Sequence, residues 1–251
     1  MIILQIPQYG LIKPMLVDIP GCLWMITVME QQHIGKIYVD RMPDPQSVYV
    51  ESPYFLYYIG GAFQEVFLDE VMVHIISDLI PAGETRPVFV FSSSAEWKQS
   101  THQYLEPCNR STFGPYLTRR LHHLNHEAYS EFKRNLPPAP DSYSITLSQD
   151  NGQCTVRAMH DGTEACFCRD GGQGLGYMDL DVFTHPAHRH KGLAAICCSV
   201  LIDYCLEQEL IPQWGCWTVN VPSCKLAAKL GFRITAETEV NFAEIQKEHT
   251  I

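Results

Sequence analysis

The sequence predicts a mixed α/β (α+β) protein in two domains, residues 1–134 and residues 135–251. Three observations carry that reading. Short runs rich in β-branched and aromatic residues, punctuated by Gly and Pro, recur in both halves. Apolar positions at helical spacing separate them. The stretch "NLPPAPDS" at 135–142 halts any helix and marks the best boundary in the chain.

In the first half, "CLWMITVM", "IGKIYVD", "QSVYVES" and "YFLYYIGG" read as consecutive strands, with turn residues that include Pro53. "FQEVFLDEVMVHIISDL" follows, its apolar residues at 63, 66, 67, 71, 75, 76 and 79 marking an amphipathic helix. "RPVFVFSSS" reads as a strand and "SAEWKQSTHQYL" as a helix with serine at its start. "TRRLHHLNHEAYSEFKR" reads as one long helix up to the proline stretch. Beyond the prolines, "YSITLSQ", "QCTVRAMHDG", "TEACFCRDG" and "LGYMDLDVFT" read as four strands, the first three joined by hairpin signals at Asn151-Gly152 and Asp161-Gly162. The helix "GLAAICCSVLIDYCLEQEL", the strand "PQWGCWTVN", the short helix "PSCKLAAKL" closed by Gly231 and the strand "FRITAETEVNF" complete the order. There is no internal repeat at a period of about 20 to 50 residues.

Apolar residues at 46% and charged residues at 18% describe a globular chain. A net charge of -10 argues against a broad nucleic-acid or anionic-membrane surface. The opening "MIILQIPQYG" lacks a basic leader, and no run reaches the roughly 20 apolar residues of a membrane span, so the expectation is cytoplasmic. In that compartment the ten scattered cysteines read as small hydrophobes.

Within this acidic chain, "HPAHRHKGLAA" at 185–195 stands out. No acid lies between Val182 and Ile202. A strand, a basic turn, Gly192 and a helix start together make an anion site, because the first helical N–H groups lack partners and carry the positive end of the macrodipole. Gly192 permits close backbone approach, and Ala194 keeps the first turn free of bulk.

The run "RHKGLA" at 189–194 resembles the coenzyme A diphosphate loop of the GNAT N-acetyltransferases. "NVPSCKLAAKLGF" is similar to that family's later segment, here Asn220, Lys229, Gly231 and Phe232. The longer string resembles the branch typified by zwittermicin A resistance acetyltransferases. The resemblance implies a mixed, mostly antiparallel C-terminal sheet splayed between its fourth and fifth strands. It also implies acetyl-CoA as cofactor, held by Arg189, His190, Lys191, Gly192, Leu193, Ala194 and Asn220, and a backbone oxyanion site around Val182, Phe183 and Thr184. The expected acceptor is a small-molecule amine, with an antibiotic among the candidates. The other reading is a non-catalytic acyl-CoA-binding or partner-binding module. The N-terminal domain is expected to cover the acceptor side.

Acetyl transfer needs an uncharged amine, oxyanion stabilisation and tolerance of a leaving thiolate. Asp179 and Asp181 share one strand face and are the candidate bases; the plainer account makes them solvent-side residues of a half-buried strand. The position where many family members carry a tyrosine general acid is Ala227 here. Ser223, Cys224 and Tyr177 are the available stand-ins. His122 and His126 at i, i+4 spacing on a helix could face one metal, but no HExxH accompanies them and a solvated face is the better account. "GGQGLG" precedes a strand, which excludes a dinucleotide fingerprint.

Overall fold

The computed structural model describes residues 1–16, 22–32, 34–52, 54–150 and 152–247. Pro53 and Asn151, two of the turn residues noted above, lie outside them. The chain divides into two compact units, Met1–Arg119 with Thr238–Ile251, and Arg120–Glu237.

The first unit runs through β1 (Ile2–Ile3), a 3₁₀ run Ile6–Met15, α1 (Leu23–Met29), β2 (Lys36–Val39), β3 (Ser47–Glu51) and β4 (Leu56–Gly61). It continues with α2 (Glu65–Val73), which passes into a π turn at His74–Leu79, then β5 (Thr85–Ser92) and α3 (Ala95–Leu105). Four antiparallel strands, β1 to β4, are followed by β5 parallel to β4. Leu68, Val71 and Ile75, at helical spacing on α2 and its π turn, pack with Ile59, Val90 and Trp97 into the core. Ser94 caps α3, its hydroxyl accepting from the Trp97 amide, and the Trp97 indole N–H donates to the Gly61 carbonyl. "CLWMITVM" forms α1, which corrects the strand expected there. Its Leu23, Trp24, Met25, Thr27 and Val28 are all buried, so no polar stripe reveals the helical period.

The second unit contains the end of β6 (Tyr116–Leu124), α4 (His126–Arg134), β7 (Ser144–Asp150), β8 (Gln153–His160), β9 (Thr163–Gly174) and β10 (Tyr177–Thr184). Then come α5 (Leu193–Glu207), β11 (Ile211–Trp217), α6 (Val221–Lys229) and the start of β12 (Phe232–Gln246). β7 to β10 form an antiparallel meander and β11 lies parallel to β10. α5 lays Leu193, Cys197, Leu201 and Ile202 on Val156 and Met178. Eight of the ten cysteines are buried, as apolar fillers would be.

"TRRLHHL" is the strand β6, and the helix begins only at His126, which corrects the single long helix expected from the sequence. Asn125 sets that start, its carboxamide oxygen accepting from the Ala128 amide. The units divide after residues 119 and 237, away from the proline stretch expected to separate the domains. The physical reason is packing: Leu124, Tyr129 and Phe132 join the same core as Val156 and Ile202.

Each unit thus repeats one order: four antiparallel strands, a helix, a fifth strand parallel to the fourth, a second helix. The closing strand is exchanged. β12 ends beside β5 in the first unit, and β6 ends beside β11 in the second.

Candidate active site

β10 and β11 pair at Tyr177↔Ile211, Met178↔Pro212 and Asp179↔Gln213, and among the described residues their register ends there. β10 continues to Thr184 and β11 to Trp217, so the two strands run on without pairing to each other. Among the described residues the first unit shows no such gap. β4 and β5 stay paired to Ile59↔Ser92, the last residue of β5.

Backbone alternation decides which groups face the gap. The Ile211 amide donates to the Gly176 carbonyl on the β11 side, and the His185 amide donates to the Ala165 carbonyl on the β9 side. Even-numbered residues of β10 therefore point their N–H and C=O groups towards β11, and odd-numbered ones towards β9. Past Met178, Leu180, Val182 and Thr184 present amides to the opening. Phe183 does not: it pairs with Phe167 on β9, so its backbone is withdrawn from the site the sequence assigned it.

Side chains alternate as well. Met178 and Leu180 enter the core, while Asp179, Asp181 and Phe183 lie on the opposite face. Arg169, across the strand pair on β9, donates to one Asp181 oxygen from both Nε and a terminal nitrogen at 2.8 Å. Asp181 is thereby engaged by a cation. Asp179 is half-buried and sits at the last paired position before the strands part. Tyr177, two residues back on the same face, stacks on His123 of β6 with ring centroids 5.5 Å apart.

Beyond Thr184 the chain makes a 3₁₀ turn at Pro186–His188 and enters α5 through Gly192. His190 and Gly192 both take the left-handed conformation, at φ 63° and 81°. A Cβ on Gly192 would meet nothing within 4 Å, so the glycine answers the backbone angle and leaves open space above the helix start. Leu193 turns its side chain into the core, and the first turn of α5 carries no acid. Arg189 donates from Nε to the Thr184 carbonyl at 3.2 Å, and Lys191 donates from Nζ to the Tyr143 hydroxyl at 2.8 Å.

The α6 residues are less available than the sequence suggests. The Asn220 carboxamide oxygen caps the helix by accepting from the Ser223 amide. The Ser223 hydroxyl accepts from the Trp214 indole at 3.1 Å. Cys224 points its sulfur at Cys216, 3.4 Å away. Ala227 is fully buried in the core. His122 and His123 lie on β6 and His126 opens α4, which removes the helical metal pair. Among the described residues no group of three or more His, Cys, Asp or Glu is placed to hold a metal ion. The His122 ring is buried against the Trp214 carbonyl, and that burial pushes its pKa down. Sequence reasoning missed Arg169 and Tyr143, since only strand register brings them to the site.

Among the described residues no helix is long and apolar enough to cross a membrane. Residues 156–240 match the model of the GNAT acetyltransferases. The chain is 21% identical over 267 residues to the uncharacterized N-acetyltransferase YdfB of Bacillus subtilis (strain 168), covering 94% of this chain and 96% of that protein. Its fold is similar to a GCN5-related N-acetyltransferase-like protein from Streptococcus suis, with TM-score 0.70, 18% identity, and 95% and 98% of the two chains covered. It is also similar to a tandem GNAT protein from the clavulanic acid biosynthesis pathway, with TM-score 0.60, 12% identity and 97% of each chain covered. The segment that matches the GNAT acetyltransferase model spans the parted strands and the acid-free loop between them.

Proposed function

We propose that the protein transfers the acetyl group of acetyl-CoA to the amine of a small molecule in the second unit. The observation that carries this is the parting of β10 and β11 after Asp179, directly below the left-handed turn that opens α5. The diphosphate would rest on the amides of residues 190–194, with Arg189 and Lys191 adding charge. The thioester would lie along the open edge of β10, its developing oxyanion facing the Val182 or Thr184 amide.

In this scheme the amine nitrogen forms a bond to the acetyl carbon, the carbon–sulfur bond breaks, and the amine proton passes to Asp179 directly or through water. The Asp181 carboxylate is instead engaged by Arg169. The thiolate leaves without a tyrosine, since Ala227 is sealed in the core. Calorimetric titration with coenzyme A and acetyl-CoA tests the cofactor. A thiol-release screen over aminoglycosides, polyamines, amino acids and peptide amines tests the transfer, and includes the antibiotic acceptors that the zwittermicin A branch implies.

The buried Ala227 favours a second reading, an acyl-CoA-binding module without turnover. Binding with no thiol release from any amine would select it.

We further propose that the chain is a tandem in which only the second unit takes cofactor. The α2 turn carries Glu65, and Gln64 before it donates to the Asp40 carboxylate at 2.8 Å. Burial works against that carboxylate's charge. The Ser47 amide, Gln64, Arg41 and the Gln46 amide outweigh it and hold the group well below the usual range. An ionised acid beside a helix start disfavours phosphate.

A further inference from the structure

A cluster of side chains lies against the loop and shares Lys191 with it. Tyr143 precedes β7, His160 ends β8, and His185 and His188 flank the 3₁₀ turn after β10. The Tyr143 hydroxyl lies 2.8 Å from His188 Nδ1 and accepts from Lys191 Nζ at 2.8 Å. The Tyr143 and His160 rings have centroids 4.8 Å apart, His160 and His188 5.2 Å, and His185 and His188 6.0 Å. The Lys191 ammonium also sits over the Tyr143 ring, 5.3 Å from its centroid.

The charges are unbalanced. One ammonium and three imidazoles gather here, Arg189 leaves from the same loop, and the acid that reaches them is Asp161, 3.3 Å from His160 Nδ1 on an 89% exposed side chain. With its proton donated to His188 Nδ1, the tyrosine hydroxyl fixes the tautomer that leaves an N–H on Nε2. Burial, then Lys191, His160 and His185, push the His188 pKa down. Such a group is stabilised by a compact dianion with several acceptor oxygens. A phosphate monoester is that chemistry: it carries three acceptor oxygens and a second pKa of about 6.

We infer that Tyr143, His160, His185 and His188, together with Lys191, bind the 3′-phosphate of coenzyme A. The inference rests on the proposed use of that cofactor, whose diphosphate would sit one ribose away on the amides at the start of α5. It differs from that proposal in relying on side chains, and in concerning a phosphate that takes no part in the chemistry. The subsite would distinguish coenzyme A from its 3′-dephospho form.

The test is calorimetric titration of the full chain with coenzyme A and with 3′-dephospho-coenzyme A. The expected result is a preference for coenzyme A of about tenfold or more, the worth of one or two charge-assisted hydrogen bonds. In a His160→Ala, His188→Ala double variant the preference should fall towards unity, through weaker binding of coenzyme A alone. Tyr143→Phe keeps the buried ring, removes the hydroxyl that joins Lys191 to His188, and should lower the preference severalfold. Equal affinity of the parent for both compounds would overturn the subsite and leave the cofactor proposal standing. A full preference retained by the variants would place the 3′-phosphate elsewhere. Binding of neither compound would overturn the cofactor proposal and this inference with it.

Discussion

Gly192 offers the sharpest test of the loop. Its φ of 81° belongs to the left-handed region, and its Cβ position is empty to 4 Å. Gly192→Ala therefore meets no clash and costs only backbone strain, about 1–2 kcal/mol, felt in stability. Gly192→Glu carries the same strain and adds a carboxylate at the start of α5. One unit charge of phosphate about 4 Å from it is repelled by roughly 4 kcal/mol at an effective dielectric constant of about 20. At about 1.4 kcal/mol per decade, that is close to a thousandfold. Calorimetry with coenzyme A on both variants isolates the electrostatic part, because the strain is common to them. The alanine variant should bind within about tenfold of the parent, with the glutamate variant two to three decades weaker still. If the glutamate variant binds within threefold of the alanine variant, no phosphate lies on this helix start and the reasoning fails.

Asp179→Asn should lower kcat by about 10²-fold or more and flatten its acidic limb, whereas Asp181→Asn should mostly release Arg169 and change kcat less; steady-state kinetics across pH would refute the assignment by showing equal effects. Titration to saturation should give one coenzyme A per chain, and two equivalents would show that the first unit also binds. Burial, aided by Asp170 and Cys154, pushes the Cys205 thiol from 9.0 up to about 12, and burial, aided by Glu51 and Asp78, pushes the Tyr38 phenol from 10.0 up to about 12. Both groups hold their protons more tightly when folded, so their contribution is complete below about pH 9 and is lost between about pH 9 and 12. A Tm series in reductant should fall across that window, and a flat profile to pH 11 would contradict it.

The readable features in the sequence were local ones. A basic turn, a glycine and an apolar helix start are consecutive residues, and their chemistry follows from position alone. Alternation likewise put Asp179 and Asp181 on one face and Met178 and Leu180 on the other, as found. Failures came where tertiary context decides. α1 is buried on nearly every side, and a short apolar helix then shows the same run of residues as a buried strand. β6 borrowed helical appearance from α4 directly after it; the signal that separates them is Asn125, a capping residue inside what had looked like a continuous period. The parting of β10 and β11 was expected from the family resemblance and not from a pattern within either segment, and the crossing of Arg169 to Asp181 could not be read at all, since it depends on how distant strands align.

The exchange of closing strands has a consequence for the chain as an inherited object. The outer edge of β5, with Val88 and Val90 buried beside it, is covered by residues 241–246, which are encoded after everything in the second half. A product stopped at the proline stretch would present that edge bare, a template for the wrong partner. The second half, expressed alone from residue 135, would lack the strand beside β11. Neither gene fragment encodes a finished sheet. A first half without a cofactor site, as proposed, would still be needed, because it supplies β6, the strand beside β11.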